Sequence, residues 1–202
     1  MTNIGLLGGT FNPIHMGHLT LAQNFLAQLS LDEVVLIPDK SPVHKPELDL
    51  APGEDRLTMC EIAAAGAPGI TVDDVELRRK EKSYTVLTLE DYRRRHPQAQ
   101  LYFLMGTDMF LTLEGWHQYE RLFQLAVMCV GARDSGEETL ILDALKRYRQ
   151  YYPIRAEVLR APPFPVSSTQ LRERLRRGET TEGLLPPGVK EYIERRGLYG
   201  TK

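Results

Sequence analysis

Short apolar runs alternate along this chain with stretches of helical periodicity. Residues 3–7 form an apolar run that stops at Gly8 and Gly9, and from Met16 apolar positions recur as Leu19, Ala22, Leu26 and Leu29, the spacing of one helix face. That is strand, glycine turn, helix. The pattern repeats: 33–38 reads as a buried strand, 53–65 as a helix carrying Leu57, Cys60, Ile62 and Ala64, 70–75 as a weaker strand, 85–95 as a helix and 101–105 as a strand. A helical or irregular stretch at 111–123 leads into a strong strand at 126–130, and a last core strand lies near 157–159. Strands alternating with helices predict a parallel sheet covered on both faces. Right-handed connections make this most economically an α/β fold, a Rossmann-like doubly wound parallel sheet, which binds ligands beyond the carboxyl ends of its strands. The site is then expected among the loops after Leu7, Pro38, Met105 and Val130. The segment APPFP ends the alternation, and helices from Ser168 and over 188–196 predict a small C-terminal helical subdomain from about residue 166.

Composition narrows the function classes. A chain of 202 residues can bury a full core as one unit without disulfides or structural metal. The formal net charge of -2 offers no overall basic field, so no nucleic-acid partner is expected. No apolar run approaches the roughly 20 residues that span a bilayer, and the N-terminus has no signal-peptide pattern. A cytoplasmic protein without a membrane partner is the expectation. Cys60 and Cys129 lie far apart in apolar settings and read as buried thiols.

The sharpest chemical signal is GGTFNPIHMGH, residues 8–18, at the first strand-to-helix turn. Gly8 and Gly9 let backbone amides approach anionic oxygens, and the helix adds its N-terminal dipole. His15 and His18 would project from the same helix end toward phosphates. Read alone, the string is also compatible with a tight turn carrying two solvated histidines; a zinc pair lacks further ligands at suitable spacing. A second signal is VSSTQLRERLRRG, residues 166–178. One of its hydroxyls would suffice as a helix cap, with Glu173 available to reach back. Three hydroxyls backed by Arg172 fit a phosphate clamp as well.

The first string resembles the HxGH signature of the nucleotidyltransferase superfamily, and VSSTQLR resembles its ISSTxIR motif. The middle of the chain narrows the resemblance: PDKSPVHK at 38–45, KSYT at 82–85, and GTDMF at 106–110 followed by Trp116 are similar to the corresponding segments of bacterial nicotinate-nucleotide adenylyltransferases. The resemblance extends from Gly5 to Tyr199 and leaves only about 134–152 without a match. It implies that 1–202 is a single nucleotidyltransferase domain with ATP and nicotinate mononucleotide as substrates. It implies Mg²⁺ accompanying ATP, with no dedicated protein metal site, and leaves self-association into a homo-oligomer open. By the same resemblance His15 and His18 are catalytic, and Gly8, Gly9, Thr10, Phe11, Gly106, Asp108, Arg133, Ser167, Ser168, Thr169 and Arg172 bind ATP. His44, Lys45, Tyr84, Thr85 and Trp116 bind the acceptor, the hydroxyl of Thr85 and the Trp116 ring taking the nicotinate. From the residues alone, 38–45 is also readable as a solvated loop and KSYT as a helix cap. Asp108 is readable as an N-cap and Arg133 as a solvated side chain. Trp116 is readable as core, although its polar neighbours suggest a loop. One departure stands out: position 12 is Asn where the family usually has Asp, which removes a negative charge beside the expected triphosphate.

Overall fold

A computed structural model describes residues 2–40, 49–161 and 163–201. Six strands form one parallel sheet, β1 (Asn3–Gly9), β2 (Glu33–Pro38), β3 (Ile70–Val72), β4 (Gln100–Gly106), β5 (Val127–Ala132) and β6 (Ala156–Arg160), in the order β3-β2-β1-β4-β5-β6. The winding reverses between β1 and β4. Loops leaving the two strands diverge there, and the crevice between them is where such sheets bind ligands. Along the strands side chains alternate between two cores. Leu6, Val35, Phe103 and Val130 face one, packed under helices α4 (Thr85–Arg95), α6 (Tyr119–Leu125) and α7 (Ser135–Tyr151). Leu7, Leu36, Leu104 and Cys129 face the other, under α1 (Met16–Gln28), α2 (Gly53–Ala65), α8 (Ser168–Arg176) and α9 (Val189–Arg196). Burial on both faces explains why the strands read as continuous apolar runs. The C-terminal helices share that second core through Leu171, Leu175, Val189 and Ile193. Two short helices, α3 (Val75–Arg78) and α5 (Thr107–Leu111), complete the set among the described residues.

Several expectations shift. Gly8 and Gly9 end β1 instead of forming the turn, pairing with Ile37 and Pro38 of β2. The strand expected over 70–75 stops at Val72, and α3 starts at Val75. In α1 Phe25 is buried, while Leu26 and Leu29 are only partly so. The largest change is in α2, whose buried face is Asp55, Arg56, Met59, Cys60 and Ala63, not the line through Leu57, Ile62 and Ala64. Two buried charges turn that helix because each has partners. Asp55 accepts from Tyr192 Oη (2.7 Å) and Arg196 Nε (2.9 Å) of α9, while Arg56 reaches the loops after β1 and β2. Cys60 and Cys129 are buried and unbridged, as expected. Among the described residues no helix is long and apolar enough to cross a membrane.

Candidate functional site

Beyond the carboxyl ends of the strands lies a cavity of about 320 Å³, at the low end of small-molecule sites. Its wall comes from the loops after β1, β4, β5 and β6, through His15, His18, Asp108, Arg133 and Phe164 among others. Added β-carbons on Gly8 and Gly106 would meet nothing within 4 Å, so both backbones border open space. The β6 loop was not among the expected contributors. Its Phe164 ring stacks on His15 (5.5 Å, 9°) and lies where a side chain at residue 17 would be, 2.8 Å from an added β-carbon. Gly17 is therefore required by close approach.

Neither histidine is a freely solvated side chain: His15 is buried and His18 half-buried. They form a reciprocal cap at the start of α1: His15 Nδ1 accepts from Gly17 N (3.1 Å), and His18 Nδ1 accepts from His15 N (3.2 Å). The rings lie 3.8 Å apart at 30°, and Phe11, at φ 48°, sets its ring edge against His18 (5.1 Å, 83°). Because both Nδ1 atoms accept, each neutral ring carries its proton on Nε2. Both therefore act as Nε2–H donors. Burial lowers His15 to a pKa of about 4. Burial also pushes His18 well below its ordinary value, and the charge of His15 adds to the effect. At neutral pH the pair is uncharged.

That depression makes stability depend on pH. The unfolded histidine takes up a proton near 6.5 whereas folded His15 resists until about 4, so folding is fully supported above 6.5 and weakens as pH falls toward 4. The loss from His15 alone is roughly 3 kcal/mol. Urea midpoints at pH 7 and 4.5 should differ accordingly, and His15→Asn should reduce the difference while the part due to His18 remains; an unaltered slope in that variant would dissociate the effect from His15.

Asn12 is 1% exposed and joins four segments. Its Oδ1 accepts from Ala51 N (3.0 Å) and Tyr199 Oη (2.8 Å), its Nδ2 donates to the Asp49 carbonyl (3.1 Å), and its own carbonyl accepts from Arg172 Nη1 (2.8 Å). A carboxylate here could not donate to Asp49, which gives the departure to Asn a structural reason. Arg172 is buried, its other terminal nitrogen on Thr169 Oγ1 (3.4 Å). Ser168 donates to the Pro13 carbonyl (3.0 Å), so the start of α8 is docked on the loop after β1. Ser167 is the cap of α8, and Gln170, not Glu173, reaches back to it. Thr10 donates to Asp39 Oδ2 (2.8 Å), linking the loops after β1 and β2.

On the other side of the crevice the cap reading of KSYT fails. Tyr84 is the N-cap of α4 and makes no side-chain cap bond, while the Ser83 hydroxyl accepts from Lys40 N (2.9 Å). Among the described residues no side chain caps the helix start at Thr85. Trp116 lies on a loop, half-buried, edge-on to Phe103 (6.1 Å), so both earlier readings hold part of the truth. Tyr84 packs against His117 (4.4 Å), which brings the two acceptor segments together. His44 and Lys45 lie outside the described residues. Asp108 is the second residue of α5 and not its cap; its side chain is 92% exposed at the cavity mouth. Arg133 lines the cavity and is paired with Glu137.

The chain matches the cytidylyltransferase-like family over residues 6–174. It is 39% identical over 202 residues to the probable nicotinate-nucleotide adenylyltransferase of Geobacillus kaustophilus, covering all of this chain and 88% of that one. It is 35% identical over 199 residues to the one from Lachnoclostridium phytofermentans, covering 98% and 100%. Among solved structures, Plasmodium falciparum nicotinic acid mononucleotide adenylyltransferase complexed with NaAD shares the fold, with a TM-score of 0.79, 21% identity, and coverage of 100% of this chain and 99% of that one.

Proposed function

The chain belongs to the cytidylyltransferase-like family and, within it, to the nicotinate-nucleotide adenylyltransferases, and on that premise we propose how its residues perform the transfer. The protein joins the adenylyl group of ATP to nicotinate mononucleotide, giving nicotinate adenine dinucleotide and pyrophosphate. An oxygen of the acceptor phosphate attacks the α-phosphorus of ATP in line. A new O–P bond forms, the bond to the β-phosphate oxygen breaks, and pyrophosphate leaves with the electron pair. Both reactants are anionic, so positioning and charge stabilisation dominate and no covalent nucleophile is needed.

The observation that carries this reading is the closely packed, neutral His15–His18 pair on the cavity wall. Two fixed Nε2–H donors are suited to oxygens that gain charge during transfer. Gly8, Gly9, Thr10 and Phe11 supply the loop beneath the triphosphate. Ser167, Ser168, Thr169 and Arg172 hold its phosphates from the start of α8, Arg172 partly through its bond to Asn12. Asp108, following Gly106, takes the ribose, and Arg133 faces the nucleotide. Among the described residues no three His, Cys, Asp or Glu side chains are grouped to hold a cation. Mg²⁺, when it accompanies ATP, would be held mainly by ATP oxygens and would supply further charge neutralisation. We place the reaction in the cytoplasm, with 1–202 acting as one catalytic unit and Lys45 and His44 serving the acceptor.

The nicotinate carboxylate accepts hydrogen bonds at both oxygens, whereas the amide of the nicotinamide analogue presents an NH₂ donor to a site made of donors. The Thr85 hydroxyl and the uncapped amides at the start of α4 should reject the amide by roughly 1–3 kcal/mol per group left unmatched. Trp116 stacks on either ring. In a pyrophosphate-release assay at saturating ATP, the wild type should prefer the nicotinate acceptor in kcat/KM. Thr85→Val should narrow that preference, and Trp116→Ala should weaken both acceptors together. Equal use of both acceptors by the wild type would refute the carboxylate assignment.

A further inference from the structure

The stretch around 134–152, which carried no recognisable motif, is α7, and its first turn reaches the cavity mouth. Asp134 starts the helix by accepting from Glu137 N (2.9 Å), which fixes the backbone of residue 137 at the end of β5. The Glu137 carboxylate then meets both walls of the crevice. Its Oε2 accepts from the backbone N of Arg133 (2.8 Å) and from Thr107 Oγ1 (2.8 Å), while Oε1 accepts from Arg133 Nε (2.6 Å) and is ion-paired with the Arg133 Nη2. Thr107 opens α5 directly after β4, and Arg133 directly follows β5. One carboxylate thus joins the ends of two neighbouring strands at residues that line the cavity.

The two acidic neighbours of Arg133 differ. Asp108 is 4.0 Å away and 92% exposed, whereas Glu137 is 15% exposed and binds the guanidinium through two nitrogens. Burial opposes the charge on Glu137, but the hydrogen bonds from Arg133 outweigh it and hold the carboxyl below its usual range. The Arg133 side chain is half exposed, and an arginine in that setting samples many rotamers unless something fixes its planar fork. Glu137 does so through its contacts with Nε and Nη2.

We propose that Glu137 is a positioning residue for ATP: it sets the Arg133 guanidinium against the nucleotide and ties the β4 and β5 loops together around it. The proposal rests on the reading of Arg133 as an ATP contact.

Steady-state kinetics on wild type, Glu137→Ala, Glu137→Gln, Arg133→Ala and the double variant Arg133→Ala/Glu137→Ala test it. Glu137→Ala should raise KM for ATP about tenfold, with kcat and the acceptor KM within about twofold of wild type. Glu137→Gln keeps an acceptor oxygen and the shape of the side chain, and should lie between; it also serves if the alanine variant folds poorly. The double variant should be no worse than Arg133→Ala, because both changes remove one interaction. A lowered melting temperature with unchanged KM for ATP, or effects that add in the double variant, would overturn the role given to Glu137. An unchanged KM for ATP in Arg133→Ala would instead overturn the reading of Arg133 on which the inference rests.

Discussion

Replacing His18 by Ala is expected to lower kcat by roughly a hundred- to a thousandfold, the ~2.7–4 kcal/mol that one preorganised donor contributes to a developing anion. The ring is fixed before substrate arrives: Nδ1 is held by His15 N, one face lies against His15, and the Phe11 ring meets it edge-on. Nothing must reorganise as charge develops. ATP binding should change far less, because the glycine loop and the start of α8 remain. Titration calorimetry with ATP and single-turnover kinetics would separate the two effects. The cap bond to His15 N is also lost, at a cost of about 1 kcal/mol in stability, so the comparison belongs well below the melting transition. A folded His18→Ala protein with near-normal turnover would remove this residue from the mechanism.

Arg56→Met should lower stability by about 3 kcal/mol. Arg56 is 1% exposed and its guanidinium donates to four oxygens: the Ala51 carbonyl (3.1 Å), the Thr10 carbonyl (2.8 Å), Asp39 Oδ1 (3.3 Å) and the Lys40 carbonyl (3.4 Å). Methionine keeps much of the volume but withdraws the positive charge facing Asp39 and the donors to three carbonyls. For a chain of this length the loss corresponds to a fall of roughly 6–12 °C in Tm. Because Thr10 and Lys40 belong to the loops after β1 and β2, to which the proposed function assigns the substrates, both KM values should rise as well. Calorimetry decides: a Tm within a degree of wild type would mean the guanidinium is dispensable to the fold.

Elements set by local pattern were legible in the sequence. The helices over 53–65 and 85–95 and the strand at 33–38 were bounded correctly, since periodicity and apolar runs act within a few residues. What escaped depended on distant partners. The buried face of α2 was misjudged because Arg56 and Asp55 are stabilised by groups on other loops and on α9. Phe164 sits in a proline-rich segment without periodicity, and only its position over Gly17 and His15 gives it meaning. The histidines, Tyr84 and Trp116 were singled out through motif resemblance, whereas Ser83 and Glu137 bridge loops and leave no local signature. Gly8 and Gly9 were read as a turn because glycine signals turns; here they end a strand, Gly8 beside open space and Gly9 against the Phe11 ring.

The Asn12–Tyr199 bond spans 187 positions of the chain, and this has a consequence for biosynthesis. At ~5–20 residues per second, roughly 10–40 s separate the synthesis of the loop after β1 from that of the tyrosine hydroxyl that braces it. Until the end of that interval the loop after β1 lacks the Tyr199 hydroxyl, and for most of it also the Arg172 Nη1 donor to the Asn12 carbonyl. If that loop holds the phosphates as proposed, a polypeptide clipped before residue 199 should keep its sheet, read by circular dichroism, and lose activity.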